Sequence, residues 1–420
     1  MTETVNINMA NDLGYGSVKT LINNHTYLIP SVSAILRNQD KFQPIRFEKN
    51  EDLADYMEHF MDHMNVSIQS KQVKERGQMF VGQEAINSRL NMDNFNVNNM
   101  QGKSQTDLAM VLTLSIIAGE ALKEEFQKLN DGKITFLPFR DLNVNVTMAT
   151  ALPIMEAQRL GAIDQYKARF LNDGHAHLVI INNFDDPITV YINFQNVEIA
   201  DEGETALYKI RHANSSLEKL IRKDFDQAYP KLKDQISDNK QLTQRPNAMV
   251  IDIGEGTTDF AVFTNNRINE HASSSMQRGY GNVLEEAMKE LQRNGVDISK
   301  RADMQELLNK PEDPFMGDRV RNAKKAVNDQ LNIFSKTITD EFSRNLRNAG
   351  SNIEIIYVLG GGATPMNELS NLRERLVNET KMQVGGNGII VIFINKLYSQ
   401  LLNEAGLQLI LDTMTNSEEE

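Results

Sequence analysis

Apolar residues along the chain fall into two kinds of run. Short alternating or continuous runs bounded by glycine or polar clusters predict strands, and longer stretches with apolar residues three and four apart predict helices. Residues 5–9 alternate and run into Asp12-Leu-Gly-Tyr-Gly-Ser17, and a second apolar run covers 18–22, so a strand–turn–strand is expected. Residues 248–263 predict a second unit of the same kind. Core strands are expected at 142–151, ending at Leu152-Pro153, at 353–359, ending in Gly360-Gly361-Gly362, and at 389–394. Residues 179–198 read as two or three short strands. Helical spacing marks a long buried helix at 106–128, a linking helix at 206–232, helices at 281–293 and 318–348, and a closing helix at 397–414. Residues 38–78 are polar and weakly patterned and read as a peripheral subdomain, with one helix near 52–64.

This pattern of mixed strands and helices in 420 residues is too long for one core and predicts two. The longest purely apolar run, 389–394, is six residues, far short of the roughly 20 needed to span a bilayer. The N-terminus carries Glu3 and no basic flank, so no secretory leader is expected. The absence of cysteine excludes disulfides and thiolate metal sites and agrees with a cytoplasmic location. A net charge of −13 argues against direct nucleic-acid binding, because that affinity rests on neutralising phosphates. The cluster Arg319, Arg321, Lys324 and Lys325 reads as a solvated helix face.

The chemistry-bearing feature is an internal repeat. Residues 12–19 read D-L-G-Y-G-S-V-K, and 240 residues on, 252–259 read D-I-G-E-G-T-T-D. Each copy joins two apolar strands. Glycines in such a turn let backbone N–H groups point inward and let phosphate oxygens approach with no Cβ in the way. Ser17, Thr257 and Thr258 add hydroxyls, and Lys19 adds a point charge suited to phosphate. Asp12 and Asp252, at strand ends, suit Mg²⁺ held mostly through its waters. No G-x-x-x-x-G-K-[ST] segment is present, so a P-loop is excluded. Gly360–Gly362 follow a strand and lead to Thr364, expected as a helix cap with Pro365 at the first helical position. Three glycines there would let a flat base or ribose lie against bare backbone. His59 and His63, four apart, and His175 and His177, two apart, lack a third ligand at a recognisable spacing and read as structural.

Two D-x-G hairpins followed by a strand-G-G-G turn resemble the phosphate-1, phosphate-2 and adenosine motifs of the actin/sugar-kinase/heat-shock ATPase superfamily. Finer features are similar to its ParM branch of plasmid-segregating actin-like proteins: Ile29-Pro30-Ser31, Phe80-Val-Gly-Gln-Glu-Ala85, Ala151-Leu-Pro153, Val197-Glu-Ile-Ala-Asp-Glu-Gly203 and Leu402-Asn-Glu-Ala-Gly406. The resemblance implies an α/β actin-like fold of two related domains with a nucleotide cleft between them. The first domain would hold 1–205 and 395–420, with a peripheral subdomain at about 31–103; the second would hold 206–394, with one at about 272–348.

It further implies ATP, or GTP, with Mg²⁺. Asp12, Gly14, Tyr15, Gly16, Ser17 and Lys19 would bind from one domain. Asp252, Gly254, Gly256, Thr257 and Thr258 would bind from the other, with Gly360, Gly361, Gly362 and Ala363 toward adenosine, and Asp12 and Asp252 toward the metal. Glu202 matches the glutamate that orients the attacking water, a role a carboxylate near the γ-phosphate can fill. Glu255 and Asp201 depart from the family, which has glycine and proline at those places; Glu255 must therefore turn away from phosphate. The implied activity is an ATPase that forms filaments of itself and moves plasmid or phage DNA through a DNA-binding adaptor of ParR type, without touching nucleic acid or membrane directly. The same hairpins also serve small-molecule kinases and non-polymerising regulatory or chaperone-like ATPases.

Overall fold

The computed structural model describes residues 4–416 apart from 38, 41, 47–49, 97, 98, 100, 101, 132–140 and 299. The chain divides into two compact units. The first comprises Met1–Leu152, Arg159–Asp201 and Glu404–Glu420, and the second Pro153–Gln158 and Glu202–Asn403.

The first unit is built on one ten-stranded sheet. Its strands are β1 (Thr4–Leu13), β2 (Ser17–Ile22), β3 (His25–Pro30), β4 (Val32–Ile35), β5 (Asn65–Gln69), β6 (Gln78–Val81), β7 (Asp93–Asn94), β8 (Leu142–Leu152), β9 (His177–Ile181) and β10 (Ile188–Asp201). They lie in the order β3-β2-β1-β8-β10-β9-β5-β6-β4-β7. Strands β1, β8 and β10 run parallel at the centre, with β2 and β3 antiparallel outside β1. The Asp107–Asn130 helix is apolar nearly all round and buries every residue from Leu108 to Leu122. That is the long buried helix expected from its spacing.

The second unit carries β11 (Ala248–Ile253), β12 (Thr258–Thr264), β13 (Arg267–Ile268), β14 (Ser274–Met276), β15 (Ile355–Leu359) and β16 (Ile390–Phe393). The order is β13-β12-β11-β15-β16, with β14 also on β12. Both faces of this sheet are covered. Met249, Ile251, Phe260, Val262 and Val358 pack under the Tyr280–Arg293 and Gly317–Ala349 helices. Ala248, Val250, Ala261, Phe263 and Tyr357 pack under Glu202–Arg211 and Ser215–Ala228. A strand covered on both sides reads as continuous hydrophobicity, which is why 248–253 has no alternation.

Several expectations need correction. Residues 38–78 are not merely a helix in a polar segment: Val66 and Ile68 are buried and seat β5 in the main sheet against β9. The helix there ends at Glu58, so His59 and His63 do not share a helix face. The 206–232 helix is two helices broken at 212–214, where the Asn214 side chain accepts a hydrogen bond from the Leu217 amide at 2.9 Å. The closing helix is likewise two, Lys396–Ser399 and Leu402–Asn416. The link before residue 318 contains the helix Arg301–Asn309, which buries Met304 and Leu307. Thr364 is not the cap of its helix. Gly362 is, and the helix runs Ala363–Leu369. The acidic end of the sequence, read as a tail over 416–420, lies outside the described residues from 417 on. No helix among the described residues is long and apolar enough to cross a membrane.

Gly203 sets how closely the Glu202–Arg211 helix approaches β12. A Cβ at that position would overlap the Cβ of Ala261. Gly203→Ala is therefore expected to destabilise the protein by about 1–3 kcal/mol, the usual range for overpacking a tight core. Chemical denaturation monitored by circular dichroism reads this directly; an unchanged midpoint would mean the helix shifts at no cost.

Candidate functional site

The two repeated turns fold alike. In the first, the Gly14 amide donates to the Ser17 carbonyl at 3.1 Å; in the second, the Gly254 amide donates to the Thr257 carbonyl at 2.9 Å. Glycine is required for this closure in the first turn, since a Cβ on Gly14 would stand 2.7 Å from the Ser17 oxygen. Both turns also have their carbonyls drawn back into the protein. Ser31 donates its hydroxyl to the Gly14 carbonyl at 2.7 Å and its amide to the Gly16 carbonyl at 3.1 Å. The amides of Tyr280 and Gly281 donate to the carbonyls of Gly254 and Glu255 at 2.9 and 2.8 Å. With the carbonyls engaged, the N–H face of the turn is the side left for an anion. Among the described residues, no acceptor within the chain bonds the amides of Glu255, Gly256 or Thr257.

The side chains at the first turn form a charge-balanced set. Asp12 and Lys19 face each other across β1 and β2, with Nζ 3.1 Å from Oδ2. Tyr15 packs edge-on against Phe95 at 5.9 Å. Lys103, which no sequence pattern singles out, is buried here; its Nζ donates to the Leu13 carbonyl and lies 5.6 Å from the Tyr15 ring centre.

The second turn has the same register and the opposite electrostatics. Asp252 faces Asp259 across β11 and β12, in the place where Asp12 faces Lys19. Asp259 and Glu202 are both buried. Burial pushes the Asp259 carboxyl up to about 7, and the carboxylates of Glu202 and Asp252 push the same way, against hydrogen bonds from Ser275 and Thr257. The Thr257 hydroxyl donates to Asp259 Oδ2 at 2.9 Å, and the Thr258 hydroxyl to the Arg278 carbonyl at 2.9 Å. Both hydroxyls thus have partners inside the protein. Asp259 occupies the place in the repeat that Lys19 has in the first copy, a reversal of charge visible in the sequence that was not singled out.

Glu202 is the first residue of its helix, whose first turn is held by the Thr205 hydroxyl on the Glu202 carbonyl at 2.7 Å. Asp201 ends β10. Glu255 turns away from the amide face to Arg301, at 2.7 Å. Of the three later glycines, Gly360 sits at a φ of +95°, and a Cβ there would overlap Asp252 Oδ1. A Cβ on Gly362 would stand 2.7 Å from the side chain of Ile253. Only Gly361 is exposed, with nothing nearer its Cβ position than the Gln400 amide at 3.5 Å. Ala363 is buried behind it.

No group of three His, Asp, Glu or Cys side chains among the described residues is placed to hold an ion. His63 stacks on Tyr56 at 5.2 Å, and His177 is buried, taking a hydrogen bond from Ser70 on Nδ1 and donating from Nε2 to the Phe170 carbonyl, both at 2.8 Å. The cations of the 319–325 face are engaged locally: Lys324 lies 3.0 Å from Glu312, and Arg321 pairs with Asp318.

Two family models match the chain. The N-terminal domain of actin-like proteins covers residues 10–204, and the C-terminal domain of the archaeal MreB-like actin homologue covers 250–371. The chain is actin-like. No curated protein matches it by sequence. Among solved structures, the actin-like protein Alp7A is similar over 99% of this chain and 98% of its own, at 15% identity and a TM-score of 0.65. ParM of Bacillus thuringiensis with ATP aligns over 98% of this chain and 100% of its own, at 14% identity and a TM-score of 0.57. The archaeal actin homologue Ta0583 aligns over 97% and 99%, at 15% identity and a TM-score of 0.56. Similarity at this level shows the fold, and it puts both repeated turns of this actin-like chain inside matched segments.

The raised Asp259 carboxyl has a consequence for stability. An acid whose folded value, about 7, lies above its ordinary value of 3.8 holds its proton in the folded state after the unfolded chain has lost it. Stability then falls as pH rises between those two values, and the deficit is constant above them. The gain in melting temperature from Asp259→Asn should accordingly widen from pH 4 to pH 7 and then level off. A gain that is flat across this window would mean the carboxyl titrates normally.

Proposed function

We propose that this protein is a nucleoside triphosphatase of the ParM type, which binds ATP, with GTP the second candidate, assembles into filaments of itself and disassembles after hydrolysis. The observation that carries the reading is the second turn: open amides of Glu255, Gly256 and Thr257 beside the buried carboxylates of Asp252, Asp259 and Glu202. Amides suit phosphate oxygens, and carboxylates suit a cation and a water to be attacked, so the arrangement has both halves of a phosphoryl-transfer site.

In this reading Gly14 to Ser17 with Lys19 form one phosphate-gripping turn, and Gly254 to Thr258 form another. Tyr15 walls the first turn, and Gly360–Gly362 with Ala363 lie toward the nucleoside. Glu202 accepts a hydrogen bond from the water that attacks the γ-phosphate, orienting it and taking up its proton. The carboxylates of Asp252, with Asp259 behind it, and of Asp12 suit Mg²⁺ held through its waters. When bound, the ion would neutralise phosphate charge. Lys19, already 3.1 Å from Asp12, brings the first turn's own cation to the phosphates.

Assembly, cargo and location are taken from the resemblance. A head-to-tail contact repeated between copies makes an open filament when its rotation does not close a ring. Such a cytoplasmic filament would move plasmid or phage DNA through a DNA-binding adaptor of ParR type, which agrees with the acidity of this chain.

Two measurements test the reading. Glu202→Ala should bind nucleotide within a few-fold of wild type while phosphate release slows by about a hundredfold or more. Unchanged turnover would move the role to Asp201 or Glu204. In sedimentation and light scattering, ATP or a non-hydrolysable analogue should lower the critical concentration relative to ADP, because γ-phosphate contacts favour the assembling state. Flat scattering with ATP over a broad range of protein and salt would leave a monomeric actin-like ATPase.

A further inference from the structure

A chain of buried hydrogen bonds runs through the second unit and is not needed to explain its fold. Asn403 Nδ2 donates to Asp252 Oδ2 at 2.8 Å. The Thr205 hydroxyl lies 3.1 Å from Asn403 Oδ1 and 2.7 Å from the Glu202 carbonyl. Four residues earlier, across the break between the two closing helices, the Ser399 hydroxyl donates to the Gly360 carbonyl at 2.9 Å, and the Gly360 amide returns a bond to the Ser399 carbonyl at 3.0 Å. Thr205, Asn403, Asp252, Ser399 and Glu202 are all buried. One short stretch, 399–403, therefore touches three pieces of the site: the Asp252 carboxylate, the helix that begins at Glu202, and the Gly360 turn.

The positions in the chain add a second, independent observation. After the short Pro153–Gln158 excursion, Glu202 is where the chain re-enters the second unit, and Asn403 is the last residue before it finally returns to the first. The Thr205–Asn403 bond thus joins two chain crossings, and the Asn403–Asp252 bond ties both to a single carboxylate.

We propose that Asn403 is a positioning residue. It fixes the Asp252 carboxylate through Oδ2 while Gly360 walls Oδ1, and it transmits the state of that carboxylate to the crossings at 201–202 and 403–404. The choice of side chain is chemically specific. A neutral amide can donate to Asp252 without neutralising it, and its oxygen remains to meet Thr205. A lysine would cancel the charge a cation needs, and a carboxylate would add to the repulsion among Asp252, Asp259 and Glu202. When Asp252 gains or loses a cation and phosphate, the strength of its bond from Asn403 changes, and the crossings are the first backbone to feel it.

This rests on the nucleotide-hydrolysis reading above, so the test begins with wild type. If wild-type protein neither binds nor hydrolyses ATP with Mg²⁺, that reading fails and the proposal falls with it. Given an active wild type, Asn403→Ala and Thr205→Val are compared with Thr205→Ser, which keeps the hydroxyl. Turnover per folded molecule and the Mg²⁺ concentration at half-maximal rate are measured, with melting curves to fix the folded fraction. Loss of a partner that orients a metal-holding group typically costs about 10- to 100-fold. Asn403→Ala should therefore raise the Mg²⁺ requirement about tenfold, Thr205→Val should lower turnover by less, and Thr205→Ser should stay near wild type. Hydrogen exchange at 200–206 and 400–406 should slow on adding ATP with Mg²⁺ in wild type and not in Asn403→Ala. Variants that only melt earlier, with wild-type turnover, Mg²⁺ dependence and exchange response per folded molecule, would reduce Asn403 to a structural residue and overturn the proposal.

Discussion

The constraint on which the second unit is organised is a pair of carboxylates set directly opposite each other across β11 and β12. Like charges in that register are destabilising even on a surface. Here both members are buried, where an ion's lost hydration is poorly replaced. The first unit shows the ordinary solution in the same register, with Lys19 facing Asp12. The second unit instead surrounds its pair with neutral donors: Asn403 on Asp252, and Thr257 and Ser275 on Asp259. A proton retained on Asp259 completes the arrangement near neutral pH. A neutral donor holds the Asp252 carboxylate in place without cancelling its charge.

The turns obey a related logic in their backbone. A turn that is to receive an anion must keep its own carbonyl dipoles off the receiving face. In the first unit this falls to Ser31, and in the second to the amides that open the Tyr280–Arg293 helix. Close approach has a steric condition as well. A Cβ on Gly279 would stand 2.6 Å from the carbonyl oxygens of both Gly254 and Glu255, so a larger residue would push the bracing amides away. Different elements thus perform the same task on two copies of one turn. The task constrains them; the sequence around them does not.

Much of this was readable beforehand, for physical reasons that also explain what was missed. The two strand–turn–strand units, the strand ahead of Gly360 and the Asp107–Asn130 helix each carry a strong local pattern, and each stands where its pattern put it. Strand β5 was invisible because only Val66 and Ile68 of its five residues are apolar, and its place depends on pairing with β9, more than a hundred residues away. The Arg301–Asn309 helix hid in a charged link because two buried residues, Met304 and Leu307, suffice to seat it. The breaks at 212–214 and 400–401 were missed since apolar spacing continues across them, while the cap that ends the pattern is a single asparagine in one case. At the site, turn glycines and leading aspartates announce themselves by spacing. Lys103 and Asn403 do not, because their surroundings come from what the fold brings beside them.

The three glycines at 360–362 show how the same letters can answer to different demands. As a sequence they read as bare backbone for a flat ligand. In the fold, Gly360 is small because Asp252 Oδ1 occupies the space a side chain would take, and Gly362 because Ile253 and Tyr280 do. Gly361 alone leaves its Cβ position open. Two of the three therefore serve the carboxylate and the core behind it, and one faces outward. Glycine at 360 leaves room for Oδ1 of Asp252, and Asn403 holds Oδ2, so rotation about the terminal bond of the carboxylate would break a hydrogen bond. A carboxylate so held presents its charge in one direction.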